Sequence, residues 1–262
     1  MLVSGFGQFM FWERGSLYIG SAVSPSELHS HHAIQLSLGL QGKVEFKTRA
    51  ESDWVAYDGA VIPPDLLHTF QAPGRVLAHI FTEPESELGR QILARFRSDR
   101  IVALPREHAE ALAAPLRAAF FGNASDEDLV RIARQTPPRL LGDEEPAVTV
   151  DARIRRAMEE IDRRLDEPLT LAEIANCVGL SEGRFRHLFV TETGVAFRPY
   201  LLWARLNRAL ALGYSGVSWT EAAHAANFAD SAHLTRTCRR MFGIAPSSIR
   251  DVGRNLQTVA AG

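Results

Sequence analysis

Residues 170–194 have the sequence TLAEIANCVGLSEGRFRHLFVTETG, and residues 218–243 repeat its pattern as SWTEAAHAANFADSAHLTRTCRRMFG. Each copy begins with a hydroxyl residue three positions before a glutamate, which is the capping box of a helix start. Small and apolar residues then follow at helical spacing, and a turn separates them from a second helix that ends at a glycine. The pattern predicts two helix-turn-helix units, the second with one residue inserted in its turn.

The two turns use different residues for the same backbone requirement. Gly179 stands where the first turn needs a positive φ, and Asn227 takes that place in the second copy, since asparagine tolerates the left-handed region better than most residues. Ser181 is expected to cap the helix after the first turn, and Asp230 or Ser231 the helix after the second. We therefore expect both turns to be tight.

The second helix of each unit has an apolar side and a basic, polar side. A helix of this kind suits the major groove of DNA, where arginine side chains contact guanine and phosphate. Arg186, His187 and Arg236 are expected to contact base edges, and Arg184, Arg239 and Arg240 are the better candidates for phosphates. The remaining candidate DNA contacts are Ser231, His233 and Thr235.

A family resemblance rests on residues 226–246, which have the sequence ANFADSAHLTRTCRRMFGIAP. This string resembles the signature of the AraC/XylS family of bacterial transcription regulators, and the resemblance covers about residues 151–250. Asn227 departs from the usual turn glycine, and Ile249 from a common aromatic. The resemblance implies a sequence-specific regulator that binds double-stranded operator or promoter DNA, responds to a small-molecule effector and forms a homodimer. RNA polymerase is a further candidate partner.

Charge and composition agree with this assignment. Residues 151–262 carry 15 basic side chains, all arginine, against 12 acidic ones, whereas residues 1–150 have a net charge of −5. No apolar run approaches the roughly 18 residues of a membrane span, and no secretory signal is evident. Cys177 and Cys238 are expected on inward helix faces as small core residues. These features predict a cytoplasmic protein with no membrane contact.

The front of the chain predicts a different domain. Short strands with glycine and proline turns occupy the first 83 residues, followed by three amphipathic helices, and the fold class is therefore α+β with two domains. The expected domains are a cupin-like β-barrel with flanking helices (1–136), a proline-rich acidic linker (137–149) and an all-α domain with both helix-turn-helix units (150–262). In the AraC family such flanking helices often form a dimer contact.

A cluster of histidines resembles the cupin pattern, in which two histidines, a glutamate and a third histidine bind a metal. Residues 29, 31 and 35 share parity on a strand and point the same way, while the apolar residues 34, 36, 38 and 40 take the other face. The predicted effector-pocket residues are His29, His31, Gln35, Trp54, Tyr57, His68 and His79.

Gln35 stands where a metal-binding cupin has glutamate, and a neutral amide is a weaker ligand for a divalent cation. His29, His31 and His68 could still hold zinc or a similar ion. We expect an organic effector rather than a metal, and no enzyme activity, because no catalytic triad, phosphate loop or CxxC pair is visible. The alternatives are a cupin metalloenzyme or metal sensor with a DNA-binding tail, and a constitutive regulator with an empty barrel.

Overall fold

The computed structural model describes residues 5–142 and 149–250, and it has a sheet-rich N-terminal region and a helical C-terminal region. The strands are β1 (Gly5–Trp12), β2 (Gly15–Ala22), β3 (Ile34–Gly39), β4 (Val44–Lys47), β5 (Val55–Tyr57), β6 (Gly59–Ile62), β7 (Thr69–Gln71), β8 (Val76–Thr82), β9 (Val102–Ala103) and β10 (Ile249–Arg250). The helices are α1 (Glu87–Arg95), α2 (Arg106–Phe121), α3 (Asp126–Leu141), α4 (Ala152–Arg163), α5 (Leu171–Cys177), α6 (Glu182–Thr193), α7 (Phe197–Tyr214), α8 (Trp219–Ala225) and α9 (Ser231–Phe242).

The strands form two sheets. Seven strands are arranged in the order β10-β1-β2-β8-β3-β6-β9, and three in the order β5-β4-β7. Buried side chains from both sheets, among them Phe46, Phe70 and Leu77, share one hydrophobic cluster. Neither sheet closes on itself within the described residues, so the region consists of two packed sheets and not of the closed barrel that the sequence predicts.

The alternation predicted for β3 is present. Ile34, Leu36 and Leu38 belong to the cluster under helices α1–α3, whereas Ala33, just before the strand, belongs to the cluster between the sheets. Gln35 is buried on that second side beside His31. The strand therefore separates an apolar layer beneath the helices from a polar interior.

The predicted linker begins inside a helix. Helix α3 continues through Pro137 and Pro138 to Leu141, although each proline removes an N–H that would donate to the carbonyl four residues earlier, and Leu140 of the last turn packs in the core. This corrects the start of the linker, and residues 143–148 of it lie outside the described residues. The cysteines also differ from expectation: Cys238 is buried, but Cys177 is exposed.

The two regions share one hydrophobic cluster. Trp203 and Leu206 of α7 and Phe242 of α9 pack into the cluster that contains Tyr18, Phe81 and other sheet residues. Strand β10, which follows the second helix-turn-helix unit, pairs in parallel with β1. The C-terminal helices therefore dock on the sheets through apolar side chains and a short strand. In the described ranges, no helix is long and apolar enough to cross a membrane.

Candidate nucleic-acid interface and histidine cluster

The first helix-turn-helix unit consists of α5 and α6. Thr170 caps α5, and its capping box is complete, since the Thr170 hydroxyl accepts from the Glu173 amide at 3.2 Å and the Glu173 carboxylate accepts from the Thr170 amide at 2.8 Å. Gly179 turns the chain with a φ of 72°. Helix α6 buries Phe185 and Phe189 and exposes the three predicted DNA-contact residues, Arg184, Arg186 and His187.

The second unit consists of α8 and α9 and repeats these features. Ser218 and Glu221 form the second capping box, and Asn227 has the expected positive φ of 56°. Asp230 caps α9 by accepting from the His233 amide at 2.6 Å. We call α6 and α9 the reading helices.

The predicted DNA contacts of α9 differ in their exposure. Arg236, Arg239 and Arg240 are exposed, whereas Ser231, His233 and Thr235 are half-buried. The His233 ring lies against Phe228 at 5.1 Å between centroids, and the Thr235 hydroxyl donates to the Ser231 carbonyl. The arginines are thus the part of this face that extends furthest into solvent.

The arginines of the reading helices have no ion-pair partner among the described residues. Other arginines of the helical region are neutralised, as Arg153 is by Asp151 at 2.8 Å and Arg164 by Glu167 at 2.7 Å. Unpaired guanidinium groups keep their full charge available for phosphate and base contacts. Both reading helices therefore present uncompensated positive charge.

Helix α7 sets the separation of the two units, because it connects them directly. Its 18 residues extend about 27 Å at the α-helical rise. Arg205 of α7 donates to the Glu167 carbonyl at 2.6 Å, and Asn227 of the second turn donates to the Asp166 carbonyl at 3.1 Å. These bonds fix α7 and the second turn to the loop between α4 and α5, a connection that no pattern in the sequence indicated.

The histidine cluster lies between the sheets. His29 and His68 face each other in a β-bridge, with ring centroids 4.3 Å apart, and His31 is 5.2 Å from His68. The ligand nitrogens of all three lie within 4.8 Å of one another. Burial lowers the pKa of His29 to about 3 and that of His31 to about 4, so both rings are neutral at physiological pH.

Gln35 and His79 extend the cluster. The Gln35 side-chain oxygen lies 2.8 Å from His31 Nε2, and its amide nitrogen donates to the Ser37 hydroxyl at 2.9 Å. The same hydroxyl lies 2.9 Å from His79 Nδ1. Burial lowers the pKa of His79 as well. Five of the predicted pocket residues, the four histidines and Gln35, are therefore brought together.

The two predicted aromatic members lie elsewhere. Trp54 is half-exposed, with the Lys47 ammonium 4.9 Å from its ring, and it does not line the histidine cavity. Tyr57 lies against Phe46, whose ring also contacts His68, and Tyr57 does not line the histidine cavity. The cavity beside His29, Gln35 and His79 has a volume of about 20 Å³, which is close to the room needed by one water molecule.

A larger cleft lies between the two regions. Its volume is about 500 Å³, and Trp12 and Phe81 line it from the sheets, while Trp203, Asn207 and Arg208 line it from α7. The Trp203 indole nitrogen and the Asn207 side-chain oxygen are buried without a hydrogen-bond partner in the part of the chain described. The sequence analysis did not find this cleft, because the residues of its two walls are far apart in the chain.

A polar network also connects the sheet-rich N-terminal region with the helical C-terminal region. Arg14 bonds to Glu83 at 3.0 Å, to the Tyr200 hydroxyl at 3.1 Å and to Asp162 at 2.8 Å. Burial and the neighbouring Glu85 carboxylate raise the pKa of Glu83 to about 7, although Arg14 opposes the shift. The network joins the β1–β2 turn to α4 and α7. Only the structure reveals it, since the partners are spread over the chain.

Two comparisons with known protein sequences match the helical C-terminal region. A helix-turn-helix domain family matches residues 174–251. An uncharacterized HTH-type transcriptional regulator of Escherichia coli, YidL, is 34% identical over 97 residues, which are 37% of this chain and 33% of that protein. The chain thus matches about a third of the length of this curated relative.

Solved structures of ToxT from Vibrio cholerae resemble the whole chain. An apo variant has a TM-score of 0.59 at 8% identity, with 90% of this chain and 96% of that one covered. Another ToxT structure has a TM-score of 0.55 at 13% identity, covering 97% and 99%. A ToxT structure with a bound unsaturated fatty acid has a TM-score of 0.54 at 10% identity, covering 91% and 93%. At these identities the likeness establishes a common fold.

Proposed function

We propose, from the AraC-type helix-turn-helix domain that the chain carries, that this protein is a sequence-specific DNA-binding transcription regulator controlled by a small molecule. Helices α6 and α9 enter two successive major grooves on one side of the duplex. Helix α7, about 27 Å long, connects the two units, and successive major grooves on one side of the duplex lie roughly 34 Å apart. The proposal assigns no catalytic role.

The observation that carries this proposal is the set of exposed, unpaired arginines on both reading helices. His187 and Arg236 occupy matching positions, at the same distance from the N-caps Ser181 and Asp230. Both are proposed to contact base edges, together with Arg186, Ser231, His233 and Thr235. Arg184, Arg239 and Arg240 are proposed to contact phosphates. A base contact by arginine contributes sequence preference, whereas a phosphate contact strengthens binding to all sequences alike.

Replacing Arg236 tests the base contact. We expect Arg236→Ala to weaken binding to the selected site by about 1–3 kcal/mol and to leave binding to random DNA nearly unchanged. Fluorescence anisotropy with both duplexes measures the two affinities, and Arg131→Ala is the control, because Arg131 lies on α3 and pairs with Asp128. Equal losses on both duplexes would assign Arg236 to a phosphate instead.

We propose the following division of labour within the chain. Residues 1–136, whose two packed sheets would form a cupin-like sensing module, supply the sheet wall of the effector site and mediate homodimer formation. Residues 150–262 bind DNA, and a connection within 137–149, beginning after α3, joins them. RNA polymerase is proposed to contact this protein only when the protein is bound at a promoter.

The effector is proposed to bind in the cleft between the regions. A volume of about 500 Å³ lies within the usual range of small-molecule sites, whereas about 20 Å³ beside the histidines does not. The aromatic side chains Phe11, Trp12, Phe81 and Trp203 line the cleft, as do the acidic residues Glu13, Glu83 and Asp162. The Trp203 N–H lacks an acceptor, and Arg208 has no carboxylate partner in the ranges described. These groups suit an amphipathic molecule with a carboxylate at one end, and ToxT is known with an unsaturated fatty acid bound.

Oleate is a suitable probe for this cleft. We expect oleate to bind the full chain in isothermal titration calorimetry, and Arg208→Ala to weaken it about tenfold, as loss of one charge-assisted contact would. Arg131→Ala should leave the affinity unchanged. Binding that survives Arg208→Ala would mean that the carboxylate does not lie in the cleft.

A further inference from the structure

We propose that His29, His31 and His68 form a binding site for a divalent transition-metal ion of the zinc class, and that its occupancy stabilises docking of reading helix α9 on the sheets. The metal site rests on the geometry of the cluster alone. Its regulatory meaning rests on the proposed DNA-binding function.

Each of the three rings is fixed through the nitrogen that faces away from the others. His29 Nδ1 lies 2.8 Å from the Glu27 carbonyl, His31 Nδ1 lies 2.9 Å from the Ala33 carbonyl, and His68 Nδ1 lies 2.8 Å from the Leu66 carbonyl. A neutral ring whose Nδ1 donates to a carbonyl oxygen leaves a lone pair on Nε2, as in His29 and His68. His31 has an acceptor oxygen beside each ring nitrogen, Ala33 at Nδ1 and Gln35 at Nε2, so its Nε2 offers a lone pair to an ion when the proton is on Nδ1. Metal-binding histidines are held in this way, which orients the ring and selects the tautomer.

One of these lone pairs has no partner. His68 is fully buried, and its Nε2 makes no hydrogen bond within the described residues. A buried polar atom left unsatisfied is costly, and its partner is either a water molecule or an ion. The cavity lined by His29, Gln35 and His79, at about 20 Å³, admits an object of that size and excludes an organic molecule.

Gln35 contributes a fourth neutral donor. Its side-chain oxygen lies 2.8 Å from His31 Nε2, and its amide nitrogen is engaged by Ser37. Two lone pairs at this separation repel each other unless a proton or a metal ion lies between them. A tetrahedral metal with bonds of about 2.1 Å would hold the two atoms roughly 3.4 Å apart, so Gln35 is within reach of the coordination sphere after a small shift. Three imidazoles and an amide oxygen favour zinc and its neighbours over magnesium or calcium.

The second reading helix ends directly on this site. The Glu27 amide donates to the Gly243 carbonyl at 2.8 Å, and the Ser30 amide approaches the Arg240 carbonyl at 3.4 Å. The Phe242 ring lies 6.0 Å from His31. A Cβ at Gly243 would lie 2.6 Å from His29 Nδ1 and 2.5 Å from the Glu27 carbonyl. An ion that fixes His29 therefore also fixes the segment on which α9 docks.

Zinc titration of the full chain tests the site. Protein purified without a histidine tag and stripped with a chelator should bind one Zn²⁺ per chain in calorimetry, and Co²⁺ should give the visible absorption of a low-symmetry nitrogen site. Loss of one ligand in His68→Ala or His31→Ala should weaken zinc binding at least ~100-fold, whereas His108→Ala, on α2, should not. The proposal would be overturned if the protein bound no stoichiometric zinc, or if these substitutions left its zinc affinity unchanged.

A variant that binds zinc more tightly tests the site without the risk that a loss of binding reflects misfolding. Gln35→Glu supplies a charged ligand at the same position and should tighten zinc binding about tenfold or more, because a carboxylate is the better donor. An unchanged or weaker affinity in a folded Gln35→Glu protein would place Gln35 outside the coordination sphere and contradict the fourth-ligand assignment.

Two glycines test the coupling to α9. Gly243→Ala and Gly194→Ala introduce the same strain, since both glycines end a reading helix with φ near 70–80°, but a Cβ at Gly194 meets nothing within 4 Å. We expect Gly243→Ala alone to weaken zinc binding, by about tenfold, as changes around metal ligands do. Zinc should also slow hydrogen exchange in residues 27–31 and 240–243.

Equal zinc affinities of these two variants, or exchange that zinc leaves unchanged, would reject the coupling while the metal site stands. DNA binding is measured separately on the same protein. Zinc binding without specific DNA binding would therefore refute the regulator function and leave the metal site intact.

Discussion

Asn227 illustrates how one residue connects the local turn with a distant segment. Its φ of 56° satisfies the second turn, and its side chain donates to the Asp166 carbonyl at 3.1 Å in the loop between α4 and α5. The sequence predicted the first role, because asparagine tolerates this conformation. The second role depends on a partner 61 residues away and is visible only in the structure.

Substitutions at Asn227 separate these two roles. We expect Asn227→Ala to lower the free energy of unfolding by about 1–2 kcal/mol, since alanine is strained at positive φ and loses the bond to Asp166. Asn227→Gly removes the bond without the strain and should cost less. Urea denaturation of both variants measures the difference, and a glycine variant as unstable as the alanine variant would show that the turn conformation is not the dominant contribution.

At the scale of elements, the contact between β8, α4 and α7 contains a titrating network. Glu83 is mostly buried beside Arg14 and Tyr200, and its pKa is raised to about 7 by burial and by Glu85. The unfolded value is near 4.5, so the folded state holds this proton more tightly than the unfolded state. Folding stability from this group therefore increases as the pH falls from 8 towards 5.

Glu83→Gln removes this titration and leaves the other groups of the network in place. Relative to this variant, the wild-type chain should gain stability between pH 8 and pH 6, with a slope of at most about 1.4 kcal/mol per pH unit. Denaturation curves at pH 8, 7 and 6 measure it. Parallel pH dependence of the two proteins would mean that Glu83 is ionised throughout.

Features set by neighbouring residues in the sequence could be predicted, whereas features that depend on contacts with residues far away in the chain could not. Both capping boxes and the helix-ending glycines Gly194 and Gly243 follow from short-range backbone requirements, and the structure has each of them. Helix α3 extends beyond Pro137, because its last turn is set by packing of Leu140 in the core. Trp54 was assigned to the pocket by residue type alone, but its side chain is half-exposed and does not line the histidine cavity.

At the scale of the whole molecule, the chain is two regions joined through one apolar cluster. Trp203 and Phe242 of the helical C-terminal region pack against the sheets, so the two regions share a buried interface. A proline-rich connection in the sequence suggested few contacts across the boundary, yet the cleft, the Arg14 network and β10 all cross it. Such a boundary allows a ligand in either region to alter the position of the reading helices.

Selection from random DNA with the purified full chain tests the central claim most directly. Two reading helices held by α7 should enrich one asymmetric sequence with two contacted segments about one helical turn apart, and hydroxyl-radical footprinting should protect both from the same side. Arg186→Ala should relax the first segment and Arg236→Ala the second. Enrichment of no sequence, or of a single segment that neither substitution affects, would contradict the account.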